Sequence, residues 1–429
     1  MQCFLHIRLR TAEPIISATS SADYHHSDQP VAYGSFAFRN YRYLLAGTTL
    51  SNLAAQMLGV VVGWDLYLAT RSPVVLGNVG LVQIIPVFLF TFAAGTMADR
   101  HSRRGISVSM QAVVALLGFV LAALGARRGV PAIYAALFLS ASARAFQWPA
   151  NSALLPQTVP PELLTNAISW SGTGREFSTV GGPAVAGALL AAFGSESVYI
   201  VQAGLSVLAV GCFAMLSVPP PERAPERPTG WHATLDGLRF VWRDKLILSA
   251  MSLDLLAVFF GGAVALLPIF ATDILQVGAS GLGWLRAAPA IGAGLMSVWL
   301  AHHGVTKNGG LVLLVSVALF GLATIGFGLA TAAWLSFFML FLTGVFDAVS
   351  VVLRISLVQM RTPDALRGRV AAVNALFISC SNQWGAVESG LTAQWFGTVP
   401  SVVFGGMATI VVVIAITFWS RSLRQWQHG

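Results

Sequence analysis

Gly95-Thr96-Met97-Ala98-Asp99-Arg100-His101-Ser102-Arg103-Arg104-Gly105 closes one long apolar run, residues 75–98, and opens another, residues 106–126. Each run meets the roughly 20 apolar residues that a helix needs to cross a bilayer. Two such runs joined by one short charged turn read as neighbouring helices that cross a membrane in opposite directions. The rest of the chain repeats the pattern. Its spans are 43–70, 75–98, 106–126, 131–154, 164–193, 197–218, 246–272, 281–301, 309–330, 332–356, 367–396 and 399–420.

Composition agrees. The 429 residues are 56% hydrophobic and 10% charged, against about 25% charged for a soluble domain. A soluble chain of this length would have to hide that apolar excess behind polar surfaces. A bilayer removes the difficulty, because lipid solvates the apolar exterior. Residues 1–36 have no apolar stretch of the kind that marks a cleaved signal, and they read as a disordered extension. Cys3, Cys212 and Cys380 are far apart, which points to neither a metal site nor a disulfide framework.

The arginines and lysines fix an expected orientation. Arg8, Arg10, Arg39, Arg42, Arg100, Arg103, Arg104, Arg223, Arg227, Arg239, Arg243, Lys245, Lys307, Arg361, Arg367, Arg369, Arg421 and Arg424 fall on one side. The other side has Arg71, Arg127 and Arg128. The positive-inside rule then places both termini in the cytoplasm of a cell whose inner membrane holds the chain. It also accounts for the net charge of +8 without nucleic acid, since the basic residues sit in short loops and form no patch.

One long polar gap interrupts the series at 219–245. Pro219-Pro220-Pro221 and the charged run to Pro228 cannot enter lipid and read as a semi-rigid linker. Trp231 to Lys245 then reads as an amphipathic helix on the cytoplasmic surface. The gap divides the chain into bundles at 37–218 and 246–420, with a tail at 421–429. An offset of 203 residues relates the two bundles. It carries Pro160 onto Pro363, Leu163 onto Leu366, and Ala98-Asp99-Arg100-His101 onto Ala301-His302-His303-Gly304. This is a parallel repeat of two six-helix halves about an axis along the membrane normal.

With Gly95, Asp99, Arg100, Arg103 and Arg104 between the second and third spans, the opening stretch resembles the GxxxDRxxRR signature of the major facilitator superfamily. Further segments resemble its enterobactin-exporter-like or transmembrane secretion effector branch among the drug:proton antiporters. They are Gly63-Trp64 to Leu76-Gly77, Arg144-Ala145-Phe146, Leu266-Leu267-Pro268 to Ala287-Ala288-Pro289, Thr362 to Val370 and Glu388-Ser389-Gly390. The resemblance implies the all-helical, twelve-span facilitator fold, secondary transport, and export of a small amphipathic molecule or siderophore. Two departures weaken the antiporter part. Gly182-Pro183-Ala184-Val185-Ala186-Gly187 has Ala186 where that branch has glycine in its helix-packing motif. Arg144-Ala145-Phe146-Gln147 is followed by Trp148 where glycine is usual.

Asp99 is the expected conformational switch. The eleventh span starts nearby with its positive helix end and with Arg367 and Arg369, so Asp99 can latch the halves on the cytoplasmic side. The plain alternative is a solvated charge worth under about 1 kcal/mol.

Charges inside the spans need a reason, since each costs about 2.5–3.5 kcal/mol on insertion scales. At about 1.5 Å per residue, Arg144 lies roughly 20 Å into the fourth span and Asp347 roughly 22 Å into the tenth. The repeat makes these two equivalent, so the sequence predicts an oppositely charged pair across one pathway; local pairing of Asp347 with Arg354 is the competing arrangement. Arg175-Glu176 reads either as a proton-coupling pair or as a self-neutralising one. Glu388, Asn374 and Asn382 read as cargo contacts or as polar glue between helices. Asp65, Asp254 and Arg286 are expected near span ends and Arg354 at the cytoplasmic surface.

No G-x-x-x-x-G-K-[ST] and no HExxH occurs, so ATP hydrolysis is not expected and nothing resembles an enzyme site. No cofactor is expected; a proton gradient is the expected energy source. The expected partners are a small-molecule substrate and the lipid bilayer, with the chain acting as a monomer. Uptake of a nutrient, and a sensor or scaffold that carries nothing, remain open beside export.

Overall fold

The computed structural model describes residues 32–125, 128–218, 231–304, 308–363 and 366–427, with the side chains of Phe92, Asp99 and residues 231–234 outside that description. The N-terminal half comprises α1 (Arg39–Thr70), α2 (Pro73–Arg100), α3 (Arg103–Leu124), α4 (Val130–Leu154) and α5 (Leu164–Ala214). At Gly194 α5 folds back on itself into two spans, with φ 78°. That left-handed region is open to glycine and costly for residues with a Cβ. The connector carries α6 (Trp231–Arg243). The C-terminal half follows with α7 (Lys245–Phe260), α8 (Gly278–His303), α9 (Gly309–Leu329), α10 (Ala333–Arg361), α11 (Arg367–Phe396) and α12 (Thr398–Trp419).

Among the described residues, eight helical segments are both long and apolar enough to cross a membrane, and one of them, Pro161–Ala214, spans 54 residues and crosses twice. The helices α4, α8 and α11 have the length but a more polar make-up, because they carry the groups that face inward. Together these make twelve crossings in two pseudo-symmetric halves, an all-helical major facilitator fold. Phe88, Leu116, Phe193, Leu208, Trp334 and Phe418 are among the large apolar side chains left exposed on its outside, as lipid-facing surface requires.

Within the N-terminal half α5 packs on α1 and α3, and α4 packs on α2 and α3. Within the C-terminal half α10 packs on α8 and α9, while α12 packs on α7 and α9. The halves meet along two seams, α2 against α11 and α5 against α8. We call the end where α1 starts and α12 finishes the terminal end, and the opposite one the distal end.

Both seams are built on glycine. A Cβ on Gly187 would lie 2.8 Å from the α-carbon of Gly283, and one on Gly390 would lie 2.8 Å from the α-carbon of Gly77. All four glycines lie toward the distal end. Tyr67 and Arg71 of the N-terminal half both bond Asp273 there, the latter at 2.9 Å.

The seventh span departs from the continuous helix expected over 246–272. It breaks after Phe260, and the chain runs through a tight turn at Ala263–Leu266 and a wide π turn at Phe270–Ile274. Gly261 and Gly262 make the break possible. A Cβ on Gly262 would sit 2.6 Å from the carbonyl oxygen of Gly385 in α11.

Candidate functional site: a cavity between the halves

A cavity of about 650 Å³ lies where the two seams and the break of the seventh span converge. That volume suits a drug-sized molecule. Gln56, Gly59 and Gly63 of α1, Gln83 of α2 and Glu176 of α5 line it from one half. Arg286 of α8, Asp347 of α10, and Asn382 and Gln383 of α11 line it from the other, with the broken stretch from Gly261 to Ala265. Its wall is largely apolar with a few polar groups, the composition of a small-molecule site. Discontinuous spans are where other transporters place their binding groups.

Four hydrogen bonds join described residues of the two halves. Tyr67 and Arg71 donate to Asp273, the Nη1 of Arg286 donates to the carbonyl of Gly59 at 3.1 Å, and Gln383 donates to Gln83 at 3.5 Å. All four fall between the middle of the bundle and the distal end. Toward the other end the lining residues Glu176 and Ser297 are exposed.

Arg144 and Asp347 are not brought together. Arg144 lines a separate cavity of about 270 Å³ inside the N-terminal half, with Ser51, Gln147 and Asn151. Its Nη2 donates to the Ser51 carbonyl at 3.4 Å. Gln147, three residues on, donates to Gln111 at 3.0 Å, and Ser51 donates to the same oxygen at 2.7 Å. Equivalent positions in a repeat share depth, but Arg144 faces the interior of its own bundle while Asp347 faces the cavity between the halves. Arg175 and Glu176 stand 3.8 Å apart with half or more of each side chain exposed. Arg175 lines the smaller cavity and Glu176 the larger. Asn382 donates to the Ile378 carbonyl at 2.8 Å while facing the larger cavity. Glu388 lies near the distal end of α11 beside Ser389, at 3.5 Å, away from both cavities.

The signature arginines cap helices. Arg104 donates to the carbonyl of Ala214, the last residue of α5, and Arg103 to the Ala153 carbonyl near the end of α4 at 3.4 Å. Both serve the negative end of a helix within their own half. Arg100 and Arg367 are exposed, and the Asp99 side chain lies outside the described residues. Arg369 pairs with Asp236 of α6 at 3.0 Å, fastening the connector to α11. A Cβ on Gly95 would meet nothing within 4 Å. Gly182 turns its bare α-carbon to Gln56 of α1, and the Pro183 carbonyl and Gly187 both meet Gly283.

Three sequence expectations are corrected here. Arg354 does not reach the surface, and Asp254 is not an interface residue. They form an ion pair of 3.0 Å with 2% and 8% of their side chains exposed, and Asn374 accepts a second Arg354 donor at 2.7 Å. Residue depth along one helix says nothing about which face turns inward, and two opposite charges in lipid are cheapest when they meet. Arg354 thus bonds α7 and α11 rather than Asp347, two turns away on its own helix. Arg286, third, is a cavity residue rather than an interface one.

The comparisons with known proteins bear on the whole bundle. The family described as transmembrane secretion effector matches residues 31–428. The chain is 25% identical over 392 residues to enterobactin exporter EntS of Shigella boydii serotype 4, covering 90% of this chain and 93% of that protein. The EntS of Escherichia coli O1:K1 matches with the same figures. Among solved structures, a bacterial homologue of the human lysosomal transporter Spinster, inward-facing and unoccupied, superposes with a TM-score of 0.71 at 15% identity, over 90% of this chain and 96% of that one. A POT family transporter in complex with 5-aminolevulinic acid gives 0.74 at 12% identity, over 90% and 97%. These are transporters and not enzymes. Twelve spans, a duplicated half and a cavity on the shared axis therefore belong to a multi-pass membrane transporter, and the chain is a member of the transmembrane secretion effector family of the major facilitator superfamily.

Proposed function

We propose that the chain exports a small amphipathic molecule, of the siderophore or drug-like class, by alternating access driven by inward proton movement. The carrying observation is the placement of the described inter-half bonds and glycine seams toward the distal end, with exposed cavity residues toward the terminal end. The excess of Lys and Arg at the terminal end supports placing that end in the cytoplasm of an inner membrane. The cavity would then load from the cell interior, as an exporter requires. The enterobactin exporters among its relatives support the direction and the cargo class.

Asp347 is the candidate proton carrier. It is a carboxyl in the cavity wall, and a carboxylate can be neutralised by a proton where an arginine cannot. No described cation pairs with it within 4 Å. Proton binding at Asp347 and cargo binding beside it would then compete for the same state, which is the coupling that antiport needs.

Inside-out vesicles energised by respiration test this reading, with ethidium and a catecholate siderophore as probes. Accumulation that collapses on adding an uncoupler is the expected result. Movement in the opposite direction would make the chain an importer, and no movement of either probe would leave the sensor or scaffold reading standing.

A further inference from the structure

Four arginines lie more than a turn from the ends of the membrane-crossing helices: Arg144, Arg175, Arg286 and Arg354. Arg354 has Asp254 at 3.0 Å and Arg175 has Glu176 at 3.8 Å. Arg144 faces the smaller cavity. Arg286 faces the main one with a single protein bond, to the carbonyl of Gly59 across the seam. No described carboxylate lies within ion-pairing distance of it. A guanidinium offers five donors in a fixed planar fork and does not shed its charge. Most of that fork is unused.

The position is specific. At 1.5 Å of rise per residue, Arg286 stands roughly 12 Å from the distal end of α8, while Asp347 stands roughly 21 Å from the distal end of α10. The cavity is therefore positive at its closed end and acidic toward its open one. Gly59 is fitted to this cation: a Cβ there would lie 2.8 Å from Nη2 of Arg286. The side chain rests on bare backbone that spans from one half to the other.

We infer that Arg286 reads an anionic oxygen on the cargo, such as a carboxylate or an ionised phenol, and that in binding it Arg286 leaves the Gly59 carbonyl. The inference rests on the transport reading and names its cargo chemistry. Charged pairs of this kind are shorter and about twice as strong as bonds to a neutral carbonyl, and the fork takes a carboxylate through two donors at once. An acid at the closed end outcompetes Gly59, and one of the four described bonds between the halves is then given up. The cargo thereby loosens the seam that has to open to release it.

Matched probes test it on the full chain in detergent: 1-naphthaleneacetic acid and its neutral primary amide, by isothermal titration, against wild type, Arg286→Met, Arg286→Lys and Gly59→Ala. Wild type is expected to bind the acid about tenfold or more tighter than the amide, in keeping with a hydrogen bond to a charged group. Arg286→Met brings that ratio below about threefold by weakening the acid; Arg286→Lys, which keeps the charge but loses the two-donor fork, retains only part of the preference, and Gly59→Ala, which keeps the guanidinium, retains most of it. A wild type without acid preference, a preference that survives Arg286→Met, or no binding of either probe overturns the inference. Uncoupler-sensitive accumulation of either vesicle probe, ethidium or the catecholate siderophore, separates the two readings. Accumulation with an acid preference indifferent to Arg286 sinks this inference alone, and an Arg286-dependent preference without accumulation sinks the transport reading alone.

Discussion

Gly80 and Gly283 occupy the same place in the two halves, 203 residues apart, and each presses its bare α-carbon against a helix of the opposite half. A Cβ on Gly283 would lie 2.5 Å from the carbonyl of Pro183, and Gly80 abuts Gln383 and Ala386 in the same way. The same offset relates Pro183 to Ala386 and Gly187 to Gly390. The two seams are one structure used twice.

Adding bulk to a seam should therefore pry the distal end apart. Gly283→Val is expected to raise labelling of a single cysteine at Ser72 by a membrane-impermeant maleimide, and to lower transport about tenfold, because overpacking costs about 1–3 kcal/mol. Gly294→Ala on the same helix is the control, since a Cβ there meets nothing within 4 Å. Equal labelling in both variants would contradict this account.

The Asp254–Arg354 pair should behave as a structural core. Asp254→Ala leaves a buried guanidinium without its carboxylate, which costs about 3–5 kcal/mol, whereas replacing both members by apolar residues of similar volume is often neutral. Thermal unfolding in detergent should thus show Asp254→Ala well below wild type and the Asp254→Leu/Arg354→Met double variant close to it. A double variant less stable than either single one would show that the pair's charge is needed for more than burial.

Asp347→Asn keeps shape and removes the titratable group. Uphill, gradient-driven accumulation should fall at least tenfold while downhill exchange of cargo persists, and the pH dependence of transport should flatten. A pH profile superimposable on that of wild type would remove Asp347 from the coupling.

Asp99→Asn addresses the switch read from the loop between α2 and α3. Transport is expected to be lost with insertion and thermal stability unchanged to within about 1 kcal/mol, the scale of an exposed charge. Unimpaired transport in this variant would reduce Asp99 to a solvated loop residue.

The twelve spans were legible because a bilayer demands long apolar runs, and because Arg100 to Arg104 and their counterparts punctuate them. The cavity was legible in part. Asp347, Glu176 and Asn382 stand out in sequence as polar groups in apolar surroundings, and all three line it. Arg286 escaped because position along a helix reveals depth but not azimuth. The burial of Arg354 with Asp254 escaped for the same reason: their partners come from three different helices. The break at Gly261-Gly262 has no local signature, since nothing in sequence separates a glycine that permits a turn from one that permits close packing.

The glycine seams join the halves by close fit with the single described Gln383–Gln83 bond between them. A joint made of backbone and methylene surface has no ions to rehydrate when it parts and none to strip when it closes. Ionic strength at the distal face should therefore neither lock nor free it directly, apart from the exposed Asp273 contacts at its rim. The timing of each stroke has to come from within the chamber, where charge is scarce and every bond made or surrendered is felt.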